Sequence, residues 1–178
     1  MAADTQSAPC GRELRRLPAR ELAERIGPVL RDVYGSQTRH EGTALSSEQW
    51  LEMLAESIRD ELSRPGDAAH AARFAFVDAV AMGADALNAL RHPSAPGVLR
   101  AFADGWARLS AYDYDTADAF FGALRRQFKE TQGLSGTTVM QTIRAALTGS
   151  LKGPCLVVVS VLLGKDRCLE RIYTALKS

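Results

Sequence analysis

The chain has 178 residues, 46% of them hydrophobic and 24% charged, with a net charge of +1 and a pI near 7.8. This suits one domain, or two small ones sharing a core, of ordinary globular composition. Lacking any run of 18 apolar residues, it has no membrane-spanning segment, and its near-neutral pI separates it from dedicated nucleic-acid binders. The first helix is expected to begin at Pro18, which suits a first turn, with Leu22, Ile26, Val29, Leu30 and Val33 recurring at helical spacing. Pro28 interrupts that run, so a kink or two short helices should result. Gly35 to Leu45 reads as a polar loop. Ser46 and Gln49 form a capping box for a helix whose stripe is Trp50, Leu51, Leu54, Ile58 and Leu62, ended by Arg64-Pro65-Gly66.

Asp67 then opens an alanine-rich helical segment reaching Leu90, with a break expected near Gly83, and His92-Pro93 forbids continuation. Ser94 should cap a helix carrying Val98, Leu99, Phe102, Trp106 and Leu109. Asp115 should cap another, with Phe120, Phe121, Leu124 and Phe128 inward and Arg125, Arg126 and Lys129 outward. Gly133 to Gly136 reads as a linker. A helix from Thr137 or Thr138 closes at Gly149. Cys155 to Leu163, "CLVVVSVLL", is β-branched and apolar all round, which taken alone suggests a buried strand. With no partner strand to satisfy its backbone, a buried helix from Pro154 to Gly164 is the consistent reading. The last helix should pack Leu169, Ile172, Tyr173 and Leu176. The fold class is all-α, a compact bundle of about eight helices.

Catalytic chemistry finds no foothold. Asp113 and Asp115 sit at a helix start, where capping explains them. There is neither a Gly-x-Ser-x-Gly elbow nor a phosphate-binding loop, and "LLGKDR" (Leu162–Arg167) serves better as a helix break. His40, His70 and His92 are scattered, so neither a metal nor a cofactor is expected. The odd set Cys10, Cys155 and Cys168, without a Cys-x-x-Cys pair, points to a reducing compartment rather than a disulfide framework. The start of the chain lacks the apolar run of a secretory signal, and Asp4 and Glu13 count against a transit peptide. A cytoplasmic location is therefore expected, with mitochondrion or plastid as alternatives.

Charge is unevenly spread. Residues 1–90 hold 10 Lys+Arg against 14 Asp+Glu, whereas from Arg125 onward the count is 9 against 3. Such a basic third could attract a polyanion or could be a plain solvated face. Within it, "IRAALTGSLKGP" (Ile143–Pro154) ends one helix and starts the next among backbone donors and two cations.

"MQTIRAALTGSLKGP" (Met140–Pro154) followed by "LLGKDRCLERIYTAL" (Leu162–Leu176) resembles the C-terminal anticodon-binding region of bacterial and organellar glutamyl-tRNA synthetases. The matching residues are Met140, Gln141, Arg144, Ala146, Leu147, Thr148, Gly149, Pro154, Leu163, Gly164, Lys165 and Arg171. The similarity extends more weakly back to about residue 12. The catalytic motifs of the His-Ile-Gly-His and Lys-Met-Ser-Lys-Ser type are missing, so the resemblance implies a stand-alone anticodon-binding module that cannot charge tRNA by itself. It implies the helical cage fold of that family, tRNA (tRNA-Glu foremost) as partner, and contact of Arg144 with a base edge or phosphate. Thr148, Lys152 and Gly153 are implied as further RNA contacts. Thr142 replaces a family proline. Glu61 falls where some members place an arginine that selects the first anticodon base, with Arg59 and Arg64 flanking it as substitutes. The expected organisation is a flexible N-terminus (1–11), an N-terminal helical subdomain (12–110) and an anticodon-binding-like subdomain (111–178). Two other readings stay open: a protein-interaction subunit of a ribonucleoprotein or synthetase assembly that has lost RNA reading, and an excised fragment of a glutamate–tRNA ligase.

Overall fold

The computed structural model describes residues 11–35 and 41–177; Cys10, His40 and residues 1–10 of the expected flexible start lie outside them. Among the described residues there are ten α-helices, three of them a single turn, and no strand. The short α1 (Gly11–Leu14) leads into α2 (Ala19–Tyr34), entered at Pro18. α2 runs through Pro28 as one helix, not two. The proline ring faces solvent, while Leu22, Ala23, Ile26 and Leu30 hold both halves on one buried face. Val33, expected inward, is 57% exposed.

α3 (Ser47–Ile58) starts with the expected capping box: the Ser46 hydroxyl accepts from the Gln49 N–H at 3.2 Å, and the Gln49 amide oxygen accepts from the Ser46 N–H at 3.0 Å. It stops at Ile58, earlier than expected, and tightens into a 3₁₀ turn over Arg59–Glu61. The alanine-rich stretch forms two single turns, α4 (Ala68–Ala71) and α5 (Arg73–Phe76), leaves the helix at Val77 and resumes only after Gly83, so the break expected near Gly83 is there but begins six residues earlier. The cause is tertiary. Arg167 and Arg171 donate to the carbonyls of Phe74, Ala75 and Val77, acceptors that a continuing helix would need for itself. An irregular strap, residues 77–83, then reaches α6 (Ala84–Leu90).

α7 (Ala95–Ala107) begins after Ser94, but the Ser94 hydroxyl pairs with His92 Nδ1 at 2.7 Å and does not cap the helix. α8 (Tyr114–Gln132) is capped by Asp113, not Asp115; its carboxylate accepts from the Thr116 N–H at 2.8 Å. Phe121, Leu124 and Phe128 are buried, Phe120 is half-buried, and Arg125, Arg126 and Lys129 face solvent as the spacing predicts. α9 (Gly136–Thr148) starts a residue or two before the expected threonines, because Ser135 accepts from the Thr138 N–H at 3.1 Å.

α10 (Leu156–Ala175) contains the ambiguous apolar run, which is a buried helix. It breaks at Gly164 (φ 70°, ψ −172°) and resumes. A side chain at Gly164 would strike the Gly42 carbonyl, so only glycine allows this approach. Beside the break, the Leu162 carbonyl accepts from the Trp50 indole N–H at 2.9 Å. Tyr173, expected inward, is 47% exposed. Most of the buried apolar residues form one cluster that includes Trp50, Phe102, Trp106 and Phe121, and α10 packs against α3, α7, α8 and α9. That packing places the end of α9 beside the strap.

Candidate nucleic-acid interface

The segment that ends α9 builds itself from short-range bonds. Gly149 takes the left-handed cap (φ 70°), and a Cβ there would overlap the Ala81 carbonyl oxygen of the strap. The Gly149 carbonyl in turn accepts from the Gly83 N–H at 2.8 Å. The Thr148 hydroxyl lies 2.9 Å from the Arg144 carbonyl and 3.1 Å from the Ser150 carbonyl, and accepts from the Ser150 N–H at 3.3 Å. The Ser150 hydroxyl accepts from the Lys152 N–H at 3.0 Å. Arg144, half-buried beneath the turn, donates from Nη1 to the Pro154 carbonyl at 2.7 Å. Burial pulls its guanidinium below the usual arginine range and the neighbouring Cys155 sulfur partly offsets that, yet arginine stays protonated in proteins.

An open cleft of about 210 Å³ runs between this turn and the segment 61–81. Thr148, Ser150, Lys152, Gly153 and Pro154 form one wall. Glu61, His70, Arg73 and Phe74 stand on the other, joined by Val77, Val80 and Ala81 of the strap. The cleft therefore offers cations (Lys152, Arg73), hydroxyls, an exposed carboxylate and an apolar floor. Such a mixture suits an unpaired nucleotide, whose base has apolar faces and hydrogen-bonding edges and whose backbone is anionic.

The expected contact residues separate into groups. Thr148, Lys152 and Gly153 line the cleft, and Arg144 supports their turn from below. Arg59 is brought elsewhere. Its Nη1 donates to the Leu14, Arg15 and Leu17 carbonyls and its other nitrogens to Glu56, fastening α3 to the α1–α2 turn. Arg64 is exposed and pairs with Asp67 at 3.1 Å, away from the cleft walls. Asp67 also accepts from the Ser63 and Arg64 N–H groups, and the Ser63 bond is the main reason its carboxyl sits below the usual range. His70 and Arg73 were not singled out in the sequence. They sit in an alanine-rich run without motif, and only packing of α4 and α5 near the α9 end gives them a site.

A family model described as the anticodon binding domain matches residues 21–176. The chain belongs to the anticodon-binding domain family. Among curated proteins, the glutamate–tRNA ligase of Thermus thermophilus is 31% identical over 160 residues, 90% of this chain and 31% of the ligase. The glutamate–tRNA ligase of Bacillus subtilis is 29% identical over 133 residues, 74% of this chain and 27% of that protein. Among solved structures, a glutamate tRNA ligase from Elizabethkingia meningosepticum superposes over 94% of the chain and 31% of its own length, with a TM-score of 0.78 at 16% identity. This anticodon-binding domain thus spans under a third of the relatives it matches, and it has the same helical fold as the anticodon-binding part of such ligases.

Proposed function

We propose that this domain binds the anticodon arm of a tRNA, tRNA-Glu foremost, and that unpaired bases enter the cleft between the 148–154 turn and residues 61–81. The observation that carries this reading is the family match over 21–176 together with a cleft lined by Thr148, Lys152 and Gly153. Arg144 holds the turn through the Pro154 carbonyl, and the remaining donors of its planar fork are available to a base edge or phosphate. Lys152 and Arg73 supply phosphate contacts. Arg59 and Arg64 are left out of the site because their guanidinium groups serve the α1–α2 turn and Asp67. The proposed role of this domain is recognition of the RNA. The bacterial relatives make the cytoplasm its proposed place of action.

Filter binding of the anticodon stem–loop of tRNA-Glu, beside that of an unrelated tRNA and at two salt concentrations, tests this. Arg144→Ala should weaken tRNA-Glu binding by about 1–3 kcal/mol, and Lys152→Ala should weaken both RNAs alike and lower the salt slope by about one. Equal affinity for both stem–loops would end the tRNA-Glu assignment, and absence of binding to either would end the RNA reading. The protein-interaction alternative gains nothing from the apolar surface: of the large exposed hydrophobics, Val33 and Leu87 lie in the first ninety residues and Tyr114 and Tyr173 beyond them.

A further inference from the structure

The cleft walls come from segments some seventy residues apart in sequence, and one buried side chain touches both. Arg171 is only 5% exposed. Its Nη1 donates to the Leu147 carbonyl at 2.6 Å, the residue before Thr148. Its Nη2 donates to the Phe74 carbonyl at 2.8 Å and to the Val77 carbonyl, where the opposite wall leaves the helix. Arg167, one turn earlier on α10, donates to the Ala75 and Val77 carbonyls.

We infer that Arg171 is the positioning residue of the cleft: its guanidinium fork fixes the spacing between the 148–154 turn and the strap by bonding the Leu147 carbonyl, immediately before the turn, and the Val77 carbonyl, where the strap begins. The fork geometry accounts for arginine here. Two nitrogens of one rigid plane reach acceptors on different elements, which a single ammonium on a flexible stem cannot do in the same way. The second tie between the walls, Gly83 N–H to the Gly149 carbonyl at 2.8 Å, lies at the other end of the strap, so the strap is pinned at both ends. A preformed cleft spares the ordering of its loops when RNA arrives. The functional consequence rests on the RNA-binding reading above, whereas the mechanical claim does not.

The experiment uses the full chain as wild type, R171M, R171K and R167M, with amide hydrogen exchange read segment by segment and the tRNA-Glu anticodon stem–loop as binding probe. Loss of a buried charge-assisted bond should speed exchange about tenfold or more in R171M at 147–153 and 77–83, with α2 and α3 unchanged. R171K should lie between R171M and wild type, and R167M should loosen 74–78, whose Ala75 and Val77 carbonyls it holds. Stem–loop affinity should fall about tenfold in R171M and less in R171K. Wild-type exchange at 147–153 in R171M, or a uniform rise across all helices, overturns the inference. Should R171M not fold, R171K alone decides: faster exchange at 147–153 relative to α2 and α3 supports it, and unchanged exchange overturns it. If exchange changes as expected but wild type binds neither RNA, the positioning role stands and the RNA reading fails.

Discussion

Cys155 and Cys168 lie on one helix and its cap yet meet opposite surroundings. Cys155 is exposed at the start of α10, and Cys168 is buried, with its thiol donating to the Ser160 carbonyl at 3.5 Å. Burial pushes the Cys168 thiol up to about 12 from 9.0. A raised folded value means the native state holds its proton where the unfolded chain has lost it. The associated stability is complete below pH 9.0 and is lost progressively as pH rises toward about 12. Urea titrations at rising pH should show a falling midpoint in that window, and Cys168→Ala should flatten the fall. A thiol-specific alkylating agent should label Cys155 in the native protein and Cys168 only after unfolding.

At the scale of elements, three features invite substitution. Pro28 sits inside α2 with its ring in solvent, breaking one backbone bond without a packing gain. Pro28→Ala should raise stability by about 1–3 kcal/mol, read as a higher urea midpoint at unchanged slope. Gly149 has a positive φ and no room for a Cβ beside Ala81, so Gly149→Ala should cost about 2 kcal/mol or more, measured by thermal unfolding. The Asp113 carboxyl, held low mainly by the Thr116 N–H, contributes stability above 3.8 that is lost as pH falls through its lower folded value. Asp113→Asn keeps the cap and should make the α8 end insensitive to acid, visible as a flatter acid limb in a circular-dichroism titration. The capping box at Ser46 was legible because its donors and acceptors are three residues apart. Ser94 was misread although its competing partner is only two positions away: the His92 ring takes the hydroxyl that a cap would need, and a serine before a helix does not reveal which of the two acceptable partners wins.

For the whole molecule, the bond from the Trp50 indole to the Leu162 carbonyl joins α3 to α10 across 112 positions, and Trp50 is fully buried. Trp50→Phe leaves that carbonyl unmatched beside a small void and should cost about 2–3 kcal/mol. Because one apolar cluster holds both tryptophans and most of the buried residues, tryptophan fluorescence and far-ultraviolet circular dichroism should give coincident unfolding curves. Two separated transitions would show that the cluster does not unfold as a unit.

The sequence by itself determined the helical class, the seven longer helices to within a few residues, and the turn at Thr148–Pro154, since periodicity, caps and glycine stops act over three or four positions. Its likeness to anticodon-binding regions was legible in the same way. What only the tertiary structure decided were contacts between distant segments. Arg167 and Arg171 end the alanine-rich helix at Val77. Arg59 is spent on the α1–α2 turn. His70, Arg73 and Glu61 face the α9 end across a cleft. Those outcomes follow from which carbonyls and side chains packing brings together, and no local pattern encodes that choice.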